Sequence, residues 1–448
     1  MPRGRSLSPA QLLGGGFLAL IAIGTMLLVL PVAGPAGGPL TLVEALFTAT
    51  SAVCVTGLIV VDTPNDLSLF GQLVVLALIQ LGGLGYMTLT TAVAVSLGRR
   101  ITLQERLALQ EALHVETLEG LLPFSMRVLK LTLVFEAAGA VVLAAWWWPE
   151  HGPARALYLG IFHAVSAFNN SGFSLFSTSL TDSRGDPVVN LVVMALFVCG
   201  GIGYLVLSEL LSAGRRARLS LHSRFVVAMT AALGVTATVT ILLLERSNPA
   251  SLGPLGYGEA WLAAAFQALT PRTAGFNTLD MASLHESTLF VIMLLMFVGG
   301  GAGGTAGGIK ITTFGIMILA LWATVRGRTD AVIFRRRLPR DLVPQAFAIS
   351  LIAFLAVNLV AGILLIIEGR DLMPILFEVV SAFGTVGLSV GEDGAPVSLV
   401  GHFSTAGQLL ITLLMFAGRL GPLTLAIALA RGRAQPAFRY PEGKVLVG

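Results

Sequence analysis

The chain has 448 residues, 55% of them hydrophobic and only 12% charged. Soluble domains carry about twice that charge, ~25%. So little charge cannot cover a water-facing surface of this size. It excludes an ordinary cytosolic enzyme, a disordered chain and a nucleic-acid-binding domain, and leaves a polytopic membrane protein.

The first apolar run, Leu12–Val32, follows Arg3 and Arg5. It is longer than the ~7–15-residue core of a signal peptide and leads directly into further apolar segments, so it reads as a retained helix. The later runs are Leu69–Leu97, Phe124–Trp148, Val188–Leu207, Phe225–Leu244, Thr288–Val325 (interrupted), Leu342–Ile367 and Phe403–Ala430 (also interrupted). Each has about the ~20 residues that a helix needs to cross ~30 Å of hydrocarbon, or more, which predicts eight spans. Between members of successive pairs lie Leu42–Val53, Ala156–Phe168, Glu259–Thr270 and Met373–Phe383. These are too short to span and too apolar for solvated loops, and they read as re-entrant half-helices.

Lys and Arg crowd the N-terminus and segments 98–130, 214–224, 326–340 and 431–448, whereas the other side holds Arg155, Arg184, Arg246 and Arg370. The asymmetry places both termini in the cytoplasm and Trp146, Trp147 and Trp148 at the outer interface. Two cysteines, Cys54 and Cys199, allow no disulfide framework. The 51 glycines exceed what lipid-facing helices need and point to close backbone approach or non-helical backbone in the membrane.

A repeat organises these elements. The half-helices end in related strings, Thr50–Leu58, Val165–Phe173, Leu269–Phe276 and Val380–Leu388, each with a glycine followed by Leu or Phe: Gly57, Gly172, Gly275 and Gly387. Glycine also ends helices as an ordinary C-cap. Four such strings in register, each between two spans, need more than that explanation. The reading is an all-α polytopic fold of four tandem units of helix, pore half-helix, filter loop and helix around one pseudo-tetrameric pore. Its boundaries are repeat 1 at 1–98, a cytoplasmic amphipathic segment at 99–122, repeat 2 at 123–214, repeat 3 at 215–326, repeat 4 at 327–430 and a cytoplasmic tail at 431–448.

Half-helices that enter from outside point their partly negative C-terminal ends inward. Extended backbone beyond them is tolerated at that depth only within protein or around a water-filled path. Four such loops offer rings of carbonyl oxygens able to replace the hydration shell of a monovalent cation. The candidate ligands are Val55, Thr56 and Gly57; Asn170, Ser171 and Gly172; Thr273, Ala274 and Gly275; and Thr385, Val386 and Gly387. No loop carries an acid, which disfavours a carboxylate filter for Ca2+ and suits K+ or Na+.

The strings SAVCVTGL, NNSGF, PRTAGFNT and AFGTVGLS, with GGTAGGIKITTF at 303–314 and GRLGPLTL at 418–425, resemble the Trk/Ktr/HKT superfamily of cation transporters over nearly the whole chain. Within it, the chain is most similar to the bacterial Ktr membrane subunit and lacks the extra N-terminal helix pair of Trk-type members. The resemblance implies a homodimer in a bacterial cytoplasmic membrane and a cytosolic nucleotide-binding regulatory ring as partner. Glycine at all four filter positions, Gly57 included, implies K+ preference, since Ser at the first goes with Na+ permeation in the family.

Residues Gly299, Gly300, Gly301, Gly303, Gly304, Gly307 and Gly308, with Thr305 among them, should break the sixth span, because each glycine costs a helix ~0.8–1 kcal/mol relative to Ala. A small-residue helix contact is the alternative. The resemblance assigns this flexible loop as a gate, with Lys310 and Arg419 beside it. Buried cations of this kind face a cavity or a partner. Ion pairs with Glu136, Glu209, Glu44 or Glu378 remain open, as does a role for Arg419 in placing charge at the constriction and positioning the loop. Arg272 is expected to turn behind its filter loop as a brace, and His163 and Cys54 to pack rather than react.

The segment 98–122 reads both as an interfacial helix and as a docking surface for the ring, and Arg335–Arg337 as a positive-inside anchor. No nucleotide-binding P-loop occurs. The expected activity is gated K+ uptake, not enzymatic. Na+- or H+-coupled K+ symport through the same filter is the alternative, with Glu136 the one acid well inside a full span, and Na+ also stands as a possible activator.

Overall fold

In the computed structural model, residues 9–35, 38–85, 121–212, 219–328, 330–392 and 395–421 are described, with positions 88, 91, 106, 107, 109, 110 and 113. Most of segment 98–122, residues 422–425 of the last quoted motif and the tail 431–448 lie outside them.

The described chain is helical apart from one short hairpin. In order run α1 (Pro9–Val29), α2 (Leu42–Val53), α3 (Thr63–Asp66), α4 (Leu69–Leu84), α5 (Leu121–His151), α6 (Pro153–Phe168), α7 (Pro187–Gly201), α8 (Tyr204–Ser212), α9 (Leu221–Glu245), α10 (Tyr257–Leu269), α11 (Glu286–Phe297), α12 (Ile311–Val325), β1 (Val332–Ile333), β2 (Arg336–Arg337), α13 (Leu342–Glu368), α14 (Leu372–Gly384) and α15 (Thr405–Leu420). Local signals start many of them. Thr41 and Glu44 form a reciprocal capping box at α2. Ser68, Asp186, Ser220 and Ser404 accept from the first free backbone N–H groups of α4, α7, α9 and α15.

By length and composition, α1, α5, α9 and α13 suffice to cross a membrane, and the bent pair α7–α8 adds a fifth candidate. The other second helices are shorter or broken. Each short half-helix, α2, α6, α10 and α14, packs on its preceding long helix. Contacts between units then run in one direction: α4 against α6, α7 against α10, α11 against α14, and α15 back against α2. The circuit closes.

Two sequence expectations change. The run Val188–Leu207 reads as one continuous span, but α7 and α8 meet at 109°. The broken span is explained by its neighbour: Gly201 and Gly200 carbonyls accept from Gly301 and Thr305 N–H, and Tyr204 N–H donates to Gly303 O. Carbonyls that a continuing helix would use are taken by residues 299–308. Likewise α4 breaks at Leu84, where Gly85 adopts φ 73°, inside the expected run Leu69–Leu97, most of whose remainder lies outside the described residues. The three tryptophans also divide. Trp146 and Trp148 are exposed, but Trp147 is buried edge-on against His163 and Phe176. Successive helical residues point ~100° apart, so three neighbours cannot share one face.

Candidate functional site

The four half-helices end where the sequence places them, and the loops after them share one backbone pattern. In each string the residue two before the glycine has positive φ: Val55 at 55°, Asn170 at 60°, Thr273 at 71° and Thr385 at 49°. The glycines follow at 92°, 71°, 78° and 93°. β-Branched residues resist positive φ, so three of these four positions are held against local preference by their surroundings.

Those surroundings are hydroxyl braces. Ser51 Oγ donates to Leu58 O at 2.7 Å and accepts from Gly57 N–H at 3.1 Å. Ser166 Oγ donates to Phe173 O at 2.6 Å, Thr270 Oγ1 to Phe276 O at 2.5 Å, and Ser381 Oγ accepts from Gly387 N–H at 3.1 Å. The same residues' carbonyls take the N–H of Thr56, Ser171, Ala274 and Val386. Sequence reasoning passed over these braces, although a Ser stands six residues before the glycine in three strings and a Thr five before it in the third.

The glycines meet one another. A Cβ built on Gly57 would lie 2.3 Å from Ser171 O, on Gly172 2.9 Å from the Cα of Gly275, on Gly275 2.4 Å from Val386 O, and on Gly387 2.2 Å from Thr56 O. The order 57, 172, 275, 387 and back to 57 is cyclic, and only glycine fits the contacts. Above the ring opens a cavity of about 470 Å³, lined by all four glycines, hydroxyls of Ser174, Ser177 and Ser389, and Asp62 and Asp280. None of its described lining residues is basic. Asp62 accepts from Ser177 Oγ at 2.6 Å and so ties the first outer turn to the second.

Beneath the ring, residues 299–308 do leave the helix, but they are ordered rather than loose. Beyond the bonds to the α7–α8 break, Gly299 N–H donates to Ile309 O and Ile311 N–H to Gly300 O. Thr305 Oγ1 donates to Asn170 Oδ1 at 2.8 Å, a link from this loop to the second of the four strings. Gly307 lies against Thr385, where an added Cβ would sit 2.0 Å from Oγ1. Arg419, on α15, donates from Nη1 to Thr305 O and from Nη2 to Gly82 O at 2.6 Å. Lys310 Nζ donates back to Ala306 O at 2.6 Å.

The ion-pair alternative for Lys310 and Arg419 is thereby corrected. Among the described residues neither forms a salt bridge. The four acids have other bonds. Glu44 caps α2, Glu209 accepts from Ser220 N–H at 2.9 Å, and Glu378 accepts from Val400 N–H at 2.9 Å. Glu136 accepts from Gln80 Nε2 at 3.1 Å and Asn169 Nδ2 at 2.9 Å, joining α5 to α4 and to the end of α6. Arg272 does turn behind its loop, donating to the carbonyl and hydroxyl oxygens of Thr230 on α9. His163 is fully buried, with Nδ1 against Leu159 O and Nε2 against Ser174 Oγ. Cys54 is buried, and no group of three His, Cys, Asp or Glu side chains gathers among the described residues.

A mainly helical chain with several membrane-length apolar helices and a polar, backbone-lined site at its centre belongs with membrane transport proteins. The model of the TrkH family, cation transport proteins, matches residues 11–438, and the chain belongs to this family of transporters, which are not enzymes. The Ktr system potassium uptake protein B of Bacillus subtilis is 42% identical, over 98% of this chain and 97% of its own. The potassium/sodium uptake protein NtpJ of Enterococcus hirae is 35% identical, over 99% and 98%. The crystal structure of the potassium transporter TrkH from Vibrio parahaemolyticus shares the fold, with a TM-score of 0.74 at 19% identity, over 96% of this chain and 86% of that one.

Proposed function

We propose that this protein takes up K+ across a bacterial cytoplasmic membrane, through a pore formed by its four repeats as a pseudo-tetramer of eight spans with both termini inside. The observation that carries the reading is the cyclic contact of Gly57, Gly172, Gly275 and Gly387 at the ends of four half-helices. Alternating positive φ turns successive carbonyls of Val55–Gly57, Asn170–Gly172, Thr273–Gly275 and Thr385–Gly387 toward a shared axis, where they replace water around the ion. Among the described residues the buried hydroxyls of Thr56, Thr273 and Thr385 have no hydrogen-bond partner, which leaves them to assist. The acidic outer cavity concentrates cations at the mouth. A membrane potential of 100 mV supplies about 2.3 kcal/mol per charge, enough for accumulation of tens of fold without nucleotide hydrolysis by this chain.

In this reading residues 299–308 are the gate. Thr305 fastens the loop to the filter, Lys310 folds onto it and Arg419 clamps it to α4. The subunit works as a homodimer, and a cytosolic nucleotide-binding ring moves the loop. One finding favours a second reading: the potassium/sodium name of the Enterococcus relative fits Na+-coupled or Na+-activated uptake through the same filter.

The test is K+ and Na+ flux into liposomes holding the purified chain, beside Gly57→Ser. The reading expects K+ flux above Na+ flux and loss of that preference in the variant. Equal flux of both ions, unaltered by the substitution, overturns the filter assignment. K+ flux that appears only with a Na+ or H+ gradient selects the symport reading.

A further inference from the structure

We infer that the hairpin between α12 and α13 is a docking surface for anionic phospholipid headgroups. The inference rests on the membrane-spanning reading of these two helices and on nothing in the ion path. β1 and β2 pair Val332 with Arg337 and Ile333 with Arg336, leaving Phe334 and Arg335 as the two-residue turn. Both have positive φ, 45° and 63°. Such a turn ordinarily carries Asn-Gly, which adopts these angles with little strain. Here it carries a bulky aromatic and a guanidinium, both exposed.

The underside of the hairpin explains how the turn is held. Ala331, Ile333 and Leu338 are buried against Phe225 of α9, with Leu221, Met229, Ile316 and Leu319 around them. The platform is therefore fixed to α9 and α12, and its outer face is what remains free. That face is basic. Arg337 and Arg340 share Asp330, at 3.4 and 3.2 Å. Arg335 and Arg336 are exposed and, among the described residues, have no ion-pair partner.

Aromatic rings are interleaved with the charges. Arg224 stacks over Phe334 at 4.6 Å, and Arg326 over Trp322 at 4.3 Å. Trp322 and Val325 belong to the exposed apolar side of α12, so the basic face continues directly from lipid-facing surface. An acidic soluble partner would explain the arginines alone. A headgroup layer explains the arginines together with exposed Val332, Phe334 and Trp322, since indole and phenyl rings seat at the interface while guanidinium forks grip phosphate.

The full-length protein, purified in detergent and stripped of lipid, is offered equimolar phosphatidylglycerol and phosphatidylcholine, and bound lipid is counted by native mass spectrometry. The expected result is enrichment of phosphatidylglycerol that falls roughly 10- to 30-fold in Arg335→Gln with Arg336→Gln. Arg155→Gln with Arg184→Gln, on the other side, leaves it unchanged. A second variant, Phe334→Asn with Arg335→Gly, restores the ordinary turn pair. It should keep or improve thermal stability while losing much of the enrichment, which separates lipid binding from folding. Unchanged enrichment in both hairpin variants overturns the proposal. So does displacement of the lipid by millimolar inorganic phosphate at constant ionic strength, or preferential binding of a polyglutamate peptide. Ion flux is not read in this experiment, so failure of the pore reading would appear separately.

Discussion

Truncating Arg419 tests whether the clamp holds the glycine-rich loop under the ring. Its guanidinium donates to Thr305 O on the loop and to Gly82 O on α4, and among the described residues it has no carboxylate to share. Hydrogen bonds to a charged group contribute about 1.5–3 kcal/mol each. Water reaching the freed carbonyls in Arg419→Ala recovers part of that, leaving a net loss of about 1.5–3 kcal/mol from the closed arrangement. At 1.36 kcal/mol per tenfold, the open population should rise about 10- to 100-fold. The assay is K+ efflux from proteoliposomes without any regulatory partner. Arg419→Lys separates geometry from charge, because an ammonium keeps the charge but cannot span two carbonyls as the planar fork does. Leak should rank Ala above Lys above wild type. A Lys variant as tight as wild type would mean that fixed charge alone closes the path. An Ala variant as tight as wild type would refute the clamp.

Two further substitutions follow from the same geometry. Thr305→Val keeps the volume of the side chain but removes the 2.8 Å bond to Asn170 Oδ1, so leak should rise about tenfold and K+ over Na+ preference should weaken with it; a rise in leak at full selectivity would show that loop and filter are uncoupled. Gly275→Ala forces a Cβ to 2.4 Å from Val386 O at φ 78°, where neither backbone can yield, so K+ flux should fall at least tenfold while the protein still assembles in the membrane; normal flux would remove Gly275 from the path.

Apolar periodicity and length make the four half-helices legible in the sequence, with α2 at Leu42–Val53 to the residue. Their glycines are legible for the same reason: a repeated demand on the backbone leaves a repeated residue. What stays hidden depends on partners distant in the chain. Val188–Leu207 is apolar throughout, and its break at Gly201–Gly203 follows from bonds to a loop about a hundred residues later. Arg419 offers four carboxylates to a reader of sequence and uses two backbone carbonyls instead, which leave no side-chain signature. The hydroxyl braces were present in every string, but Ser and Thr are too common near helix ends to be singled out without the geometry.

The four loops repeat one conformation, whereas the structure beneath them does not. In the proposed reading, a ring of four equivalent loops has no member that can move without breaking the ring, so the gate would be supplied by one repeat alone. Between α11 and α12 that repeat has a chain nearly free of side chains. Cβ atoms on Gly299, Gly300 and Gly301 would each lie within 2.3 Å of a backbone oxygen, so the loop packs by its backbone and has little to withdraw. Moving it breaks three backbone bonds to the α7–α8 bend, each with a net value of about 1 kcal/mol. The Arg419 clamp adds about 1.5–3 kcal/mol, giving an opening cost of roughly 5 kcal/mol. That is close to the ~5.5 kcal/mol with which a ligand moves a two-state equilibrium from one extreme to the other. A regulatory partner that binds the open form about 10⁴-fold more tightly would therefore suffice. A gate built from several side-chain ion pairs would be harder to move, which is a physical reason for glycine where a span would otherwise run unbroken.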